Sequence, residues 1–366
     1  MASQESDLAG LLTRHRAVLV GSAMLRGDQV MIDAAAIGRV PPGLRRWLDE
    51  PLPARAGVHR WPLRAGTDVR RLLADAGPDP LVEPVHLLRA APRWRSGPAR
   101  PPVLVREAAP APEPADPSAP PVTVAVLDTG VAAHPWFVHR PWFAQVTDDQ
   151  FEVLDANHDG RLDSVAGHGT FVAGVVQQHA PSARLRIRRV LHTDGICDEV
   201  DLIEALGELA EDPEPAEIVN LSFGGHSQDD RVSRLLDRAV RRLTDNSVVV
   251  AAAGNSGTQR PFWPAALPDV IAVGALDVAG SAPAEFSNRG AWVDAWAVGA
   301  DVLGAFVASA RQLPAPVEPA GCFARWSGTS FAAPLVAGRI AALAGRGVPV
   351  RAAAEEVVGT AVGRSA

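Results

Sequence analysis

The sequence predicts an α/β protein built on a parallel sheet with helices on both faces. Short, nearly continuous apolar runs rich in Val and Ile recur along the chain, at 122–127, 184–190, 217–222, 247–253 and 270–275. Such runs suit strands that are buried on both faces. Helix-like stretches separate them, at 171–180, 199–210 and 230–243. This alternation is typical of parallel strands that are covered by helices.

The leading segment, residues 1–106, predicts a small α+β unit. Residues 68–77 have the pattern of a helix, and residues 29–37 and 80–88 suit short strands. This segment therefore has elements of its own and precedes the regular α/β pattern.

A run of Pro, Ala and acidic residues at 107–121 marks the clearest boundary in the chain. It has no apolar periodicity, so we predict an extended, semi-rigid linker. Residues 122–366 then form the larger domain. Within it, the stretch 199–210 places four apolar residues at near-helical spacing, namely Val200, Ile203, Leu206 and Leu209.

Composition limits the class of protein. Apolar residues make up 47% of the 366 residues, which is enough for a substantial core. The net charge of −7 argues against a general nucleic-acid binder, which needs a positive surface for phosphates. The two cysteines, Cys197 and Cys322, form neither a disulfide framework nor a metal cluster, so we expect reduced thiols, with a single bridge as the alternative.

The amino-terminal residues are acidic and polar, unlike a secretory signal. The nearest apolar stretch, 17–25, is too short to span a bilayer. We therefore expect a cytoplasmic protein without membrane partners, with secretion by a non-standard route as the alternative.

Four polar residues stand where an α/β sheet places its active groups. Asp128 ends the first strand of the larger domain, and Asn255 follows the strand at 247–253. His168 and Ser330 each open an apolar, helix-like run. Because active groups gather at the carboxyl ends of parallel strands, these side chains are candidates for one site.

The motifs around these residues are AVLDTGV, GHGTFVAG, AAAGNSG and GTSFAAPLVAG, in this order. Together they resemble the subtilisin-like serine proteases, the subtilase or peptidase S8 family, over residues 122–366. The resemblance implies a subtilisin-like parallel sheet and a serine endopeptidase that works through an acyl-enzyme. The alternatives are a catalytically inactive binding or regulatory protein on the same fold, and an esterase or transferase that uses the same residues.

The resemblance implies a role for each of the four residues. Ser330 would be the nucleophile, His168 its general base, and Asp128 the group that orients the imidazole and stabilises its charged form. Asn255 would donate to the developing oxyanion, together with the backbone N–H of Ser330. The glycines on either side of His168 are expected to let the backbone turn tightly beside the ring.

Substrate binding is likewise implied by the resemblance. The segment LSFGG at 221–225 resembles the one that pairs with an extended substrate backbone. The predicted walls of the P1 pocket are Ser222, Phe223, Gly224, Ala252, Ala253 and Gly254. Ser256 stands where some relatives carry a carboxylate, so we expect an apolar P1 preference.

The segment DANHDGRLD at 155–163 resembles the start of an EF-hand calcium loop. Its candidate ligands are Asp155, Asn157, Asp159 and Asp163, but Ala166 stands at the twelfth position instead of a bidentate Glu. Catalysis by the predicted triad needs no cofactor, so calcium would be structural. The alternative is an acidic, solvated insertion.

The expected partner is a protein or peptide substrate. The resemblance also implies that residues 1–106 could be a propeptide that assists folding, docks on the peptidase domain and inhibits it until cleaved. A permanent accessory or recognition domain is the alternative.

Overall fold

A computed structural model describes residues 2–77, 81–90, 102–105, 111–113, 121–308 and 320–361. In chain order its strands are β1 (Ala17–Val20), β2 (Ala23–Asp33), β3 (Val58–Pro62), β4 (Val82–Arg89), β5 (Val103–Val105), β6 (Thr123–Asp128), β7 (Arg184–Arg189), β8 (Ile196–Asp198), β9 (Ile218–Leu221), β10 (Val248–Ala252), β11 (Val270–Leu276), β12 (Ala295–Val298), β13 (Val302–Val307) and β14 (Ala320–Trp326). Its α-helices are α1 (Ala2–Arg14), α2 (Pro42–Arg45), α3 (Val69–Ala76), α4 (His168–His179), α5 (Glu199–Glu211), α6 (Arg234–Thr244), α7 (Thr329–Ala344) and α8 (Val350–Ala361).

The central sheet joins six of the described strands in the order β12-β11-β10-β9-β6-β7, and every neighbouring pair is parallel. Alternate residues of β6 enter different cores. Val124 and Val126 pack with residues of α4, α7 and α8, whereas Ala125 and Leu127 pack with residues of α5 and α6. The predicted α/β class, a parallel sheet with helices on both faces, is therefore confirmed.

The amino-terminal region, residues 2–90, forms an antiparallel sheet in which β2 pairs with β1, β3 and β4. One face of this sheet has its own core, where Val30, Ile32 and Leu72 are buried. The predicted helix and the second predicted strand are α3 and β4. The strand predicted over 29–37 is wrong at its carboxyl end. There the Asp33 carboxylate accepts the Ala35 N–H at 2.9 Å and starts a 3-10 helix.

The other face of the amino-terminal sheet packs on α5 and α6 of the larger domain. Val85 and Leu88 share one buried cluster with Val200 and Ile203. Strand β4 also pairs antiparallel with β8, and β5 pairs antiparallel with β14. The predicted linker, 107–121, falls mostly outside the described residues.

Polar contacts between the two regions centre on Arg60 of β3. Its guanidinium lies 3.3 Å from Asp198, 3.8 Å from Glu204 and in contact with Asp201. These acids belong to the end of β8 and to α5, so one cation from the amino-terminal sheet faces three anions around the start of a helix.

Two further contacts join the sheet to the first residues of the helices against which it packs. Glu83 accepts the backbone N–H of Arg234, the first residue of α6, at 2.8 Å. Glu199, the first residue of α5, accepts the backbone N–H of His86 at 3.0 Å and contacts its Nδ1 at 2.6 Å. Carboxylates at helix amino termini are favourable because they face the positive end of the helix dipole.

Cys197 and Cys322 are buried and form no disulfide in the described part of the chain, as expected for reduced thiols. No helix in the part of the chain that the structure describes combines the length and the apolar character that a bilayer crossing needs.

Candidate active site

Asp128 and His168 form a buried pair at the carboxyl edge of the central sheet. Asp128 is the last residue of β6 and His168 the first of α4, and both side chains are fully buried. Nδ1 of His168 lies 2.7 Å from Oδ1 of Asp128. An ionised carboxylate only accepts, so Nδ1 carries a proton and Nε2 is the acceptor nitrogen of the neutral ring.

The imidazole lies against the segment that carries Ser330. The rings of Trp326 and Phe331, on either side of Ser330 in the chain, are each centred 5.4 Å from the His168 ring. Nε2 of His168 is buried and has no hydrogen-bond partner among the described residues. Buried polar atoms without partners are uncommon, and active sites are one place where they persist.

Ser330 is the second residue of α7 and is buried. Its carbonyl accepts a hydrogen bond from the Ser222 hydroxyl at 2.8 Å, and that hydroxyl accepts one from Asn220 at 2.9 Å. The predicted substrate-segment residue Ser222 therefore fixes the backbone at Ser330.

Asn255 is held beside the start of α7. Its Oδ1 accepts the backbone N–H of Thr329 at 2.8 Å and the Thr329 hydroxyl at 3.0 Å. Because a backbone N–H can only donate, the atom that faces it is the amide oxygen, and Nδ2 is turned to the other side. A Cβ placed on Gly328 would lie 3.5 Å from that Nδ2, so the donor sits next to the serine motif.

The other predicted pocket residues surround the same strand ends. Gly254 donates its N–H to the Thr329 hydroxyl at 3.0 Å, next to Asn255. Ala252 and Ala253 are buried at the end of β10, and Phe223 is buried in the core shared with α5 and α6. The structure thus brings these residues to the carboxyl edge of the sheet. Their assignment as pocket walls, like the assignment of the triad, stays a prediction.

The backbone of Gly224 is hydrogen-bonded to strand β4 of the same chain. The N–H of Arg89 donates to the Gly224 carbonyl at 2.7 Å, and the Gly224 N–H donates to the Arg89 carbonyl at 3.1 Å. The N–H of Ala90 donates to the Gly195 carbonyl at 2.9 Å. The end of β4 therefore lies between Gly224 on one side and Gly195 with β8 on the other.

The predicted calcium loop uses its carboxylates internally. Asp155 accepts the backbone N–H groups of Asp159 and Gly160, and Asp163 accepts that of Ala156. Over the described residues, no group of three or more His, Cys, Asp or Glu side chains is placed to hold a metal ion. Calcium binding at this loop stays a prediction.

Sequence reasoning missed two residues at this edge. Asn288 donates to the Ala253 carbonyl at 2.8 Å and accepts the Ser256 N–H at 3.0 Å, so it shapes the loop that carries Asn255. Glu152 contacts residues next to both Asp128 and His168. Asn288 lies in FSNRG, a segment that resembles the family, whereas Glu152 lies outside every motif.

Comparison with known proteins identifies the family of the chain. The model of the subtilase family matches residues 120–355. The thermophilic serine proteinase of Bacillus sp. (strain AK1) is 33% identical over 253 residues, 64% of this chain and 55% of that protein. Subtilisin BL of Lederbergia lenta is 34% identical over 235 residues, 60% of this chain and 75% of that protein.

The major intracellular serine protease of Bacillus subtilis (strain 168) is 30% identical over 237 residues, 60% of this chain and 67% of that protein. This chain thus spans about half the length of the thermophilic proteinase and more of the other two. The family match covers well over half of the chain and includes Asp128, His168, Asn255 and Ser330. The chain therefore belongs to the subtilase family.

Proposed function

We propose that this chain is a serine endopeptidase whose catalytic residues are Asp128, His168 and Ser330. The observation that carries the proposal is the fully buried hydrogen bond between Asp128 and His168, which leaves Nε2 of the imidazole without a partner among the described residues. The family membership and the names of the relatives support the same activity.

In the proposed mechanism, Nε2 of His168 takes the proton of the Ser330 hydroxyl as Oγ attacks the scissile carbonyl carbon. Asp128 keeps the imidazole oriented and stabilises the imidazolium that forms. The carbonyl oxygen becomes an oxyanion that accepts from Nδ2 of Asn255 and from the backbone N–H of Ser330. His168 then protonates the leaving amine, and water hydrolyses the acyl-enzyme.

Hydrolysis of a denatured protein substrate tests this proposal. We expect peptide products from the wild-type chain and none from Ser330→Ala. Ser327→Ala is the matched control, because Ser327 lies three residues before Ser330 and its hydroxyl accepts the backbone N–H of Asp301 at 2.9 Å. Equal hydrolysis by wild type and Ser330→Ala would indicate that a contaminating protease cleaves the substrate and that this chain is inactive.

We further propose an apolar P1 preference. The support is the small, apolar character of Ala252, Ala253 and Gly254 and the absence of a carboxylate at Ser256. Cleavage of a peptide library should select Leu, Phe or Met at P1. Strong selection of Arg would contradict this assignment.

The amino-terminal region is proposed to restrain the enzyme. Its strand β4 bonds to Gly224, which is the position predicted for a substrate backbone. An extended substrate would have to displace Arg89 and Ala90 to pair there. Both a propeptide and a permanent accessory domain fit this arrangement. Mass measurement of the active species separates them, because the intact mass excludes a propeptide.

A cytoplasmic location is proposed on the support of one relative, which is named an intracellular protease. Fractionation of the source cells tests it, and recovery of the protein from the medium would contradict it.

Calcium binding at 155–163 is tested by isothermal titration with CaCl₂ of wild type and Asp159→Ala, where heat from both or from neither would exclude this loop.

A further inference from the structure

Glu152 joins the two segments that carry the Asp128–His168 pair. Its carboxylate accepts hydrogen bonds from the hydroxyls of Thr129 and Thr170 and, at 3.0 Å, from the backbone N–H of Gly167. Thr129 directly follows Asp128, whereas Gly167 and Thr170 belong to the start of α4 around His168. One carboxylate is thus bonded on both sides of the catalytic pair.

Both hydroxyls point towards Glu152, and Thr129 Oγ1 also lies 3.3 Å from Asp128 Oδ1. Thr129 Oγ1 accepts the backbone N–H of Gly169 at 2.8 Å, and Thr170 Oγ1 accepts that of Ala132 at 2.8 Å. Each hydroxyl therefore uses a lone pair for the backbone and its proton for Glu152. An ionised carboxylate accepts from all three donors. A protonated carboxyl group would add a hydrogen of its own, which would compete with these donors for the same oxygens.

The backbone holds Glu152 against the turn that follows Asp128. The Glu152 N–H donates to the Val131 carbonyl at 3.1 Å, and the Val131 N–H donates to the Gln150 carbonyl at 3.2 Å. The backbone hydrogen bonds of Glu152 therefore hold the residue in place, unlike a mobile acid on the surface.

The charge of Glu152 is sensitive to pH near neutrality. Burial raises its pKa to about 7, the hydrogen bonds from the two threonines work against that rise, and Asp128 adds to it. The cationic form of His168 favours the ionised carboxylate. Asp128 at the end of β6 and His168 at the start of α4 are the charged groups that face it.

We propose that Glu152 is a positioning residue for the serine peptidase reaction: its carboxylate ties the turn after Asp128 to the first turn of α4 and supplies a second negative charge beside the imidazole. The inference rests on the proposed function. Glu152 touches neither substrate nor the attacking hydroxyl, so its effect passes through Asp128 and His168.

The test is a pH–rate profile of peptide hydrolysis by the full chain, with rates divided by the amount of active enzyme. In wild type, Glu152 and His168 must both lose a proton, so log(kcat/KM) should rise with a slope above one on the acid limb. In Glu152→Gln that slope should fall to one, and kcat should drop about tenfold with KM unchanged, because one charged hydrogen-bond acceptor is lost.

Glu217→Gln is the matched control. Glu217 is also a partly buried carboxylate that accepts a backbone N–H, that of Thr123, but it lies at the opposite end of β6. Its variant should keep the wild-type slope and kcat. An active wild type with the same slope and kcat in Glu152→Gln would overturn the role of Glu152 and leave the peptidase assignment intact. An inactive wild type would overturn the peptidase assignment, and Glu152 with it.

If Glu152→Gln does not fold, Glu152→Asp takes its place, because it keeps the charge and shortens the reach. Lowered kcat with the steep acid limb retained would support the proposal. A slope of one, or an unchanged kcat, would overturn it.

Discussion

Asn255 is oriented by its neighbour in the serine motif and not by substrate. Thr329 donates twice to its amide oxygen, so the amide cannot flip without losing both hydrogen bonds. In the proposed mechanism, Nδ2 of Asn255 is thereby fixed before substrate arrives, which makes oxyanion stabilisation effective because no reorganisation is needed during the reaction.

Asn255→Ala should therefore lower kcat by about 10²–10³-fold with little change in KM, which is the size known for the oxyanion donor of subtilisin. The measurement is steady-state hydrolysis of a peptide ester or amide. Asn246→Ala, at an exposed position, is the control and should behave as wild type. A loss below tenfold in Asn255→Ala would remove this side chain from the oxyanion site.

Glu152 should also make the free energy of unfolding depend on pH. Its pKa is raised to about 7 by burial, so between about pH 4.5 and 7 the folded chain keeps a proton that the unfolded chain has lost. Its contribution to the free energy of unfolding therefore falls as pH rises through that window and is then constant.

Relative to Glu152→Gln, wild type should lose on the order of 3 kcal/mol of stability between pH 4.5 and 8. Urea unfolding of both chains at several pH values measures this difference. A difference that is flat with pH, or that grows as pH rises, would mean that the carboxyl group is not buried as described.

At the scale of elements, α4 begins where the turn after Asp128 touches it. A Cβ on Gly169 would lie 2.1 Å from the carbonyl oxygen of Gly130, so no side chain fits between the helix and the turn. Gly167, with φ of +86°, provides the left-handed residue that precedes the helix. Close approach here is what brings His168 within 2.7 Å of Asp128.

Gly169→Ala should push α4 away from the turn and lower kcat/KM by about 100-fold or more, because a displacement near 1 Å misaligns the pair. The control is Gly359→Ala in α8, where an added Cβ meets nothing within 4 Å. It should leave activity unchanged and hold or raise the melting temperature. Full activity in Gly169→Ala would show that the close approach is not required.

The elements with strong local patterns were predictable and the others were not. Each of the five runs chosen from the sequence overlaps a strand of the central sheet. Strands β6, β9, β10 and β11 are buried along most of their length, whereas β7 at the sheet edge alternates buried Leu185 and Ile187 with arginines. Strand β12 (Ala295–Val298) is short and was not predicted as a strand. Helix α4 begins at His168, before the apolar run, because the polar His168 and Gly169 form its first turn.

Residues tied to a motif could be located at the sheet edge from the sequence, whereas residues that depend on contacts distant in sequence could not. Asp128 and Asn255 could be placed there from the strands that they follow, and His168 from the helix-like run that it opens. Glu152 could not, because its role depends on two threonines in separate segments. The bond between Arg89 and Gly224 joins strands that are far apart in the chain, which no local pattern encodes.

At the scale of the whole molecule, the part of the chain that precedes the predicted linker contacts the larger domain at two places near the site. Strand β4 ends beside Gly224, and β5 pairs with β14, which runs into the serine motif. Such contacts suit a region that controls access to the site. The Arg60 cluster, in which one cation faces three acids, is the most polar part of this interface.

Arg60→Glu should weaken the docking of the amino-terminal region, since it places a fourth negative charge against Asp198, Asp201 and Glu204. Peptide hydrolysis by the full chain should rise about tenfold, equivalent to ~1.4 kcal/mol. Arg39→Glu makes the same charge change at an exposed position and should have no effect. Unchanged or lower hydrolysis in Arg60→Glu, with the fold intact by circular dichroism, would contradict inhibition by this region.

The most direct test of the catalytic assignment is peptide mass spectrometry after reaction with a fluorophosphonate, which modifies only an activated serine. Wild type and Arg60→Glu are compared with His168→Ala. The account predicts an adduct on Ser330, formed faster in Arg60→Glu and lost in His168→Ala. No adduct on Ser330 in either of the first two chains, or an equal adduct in His168→Ala, would contradict it.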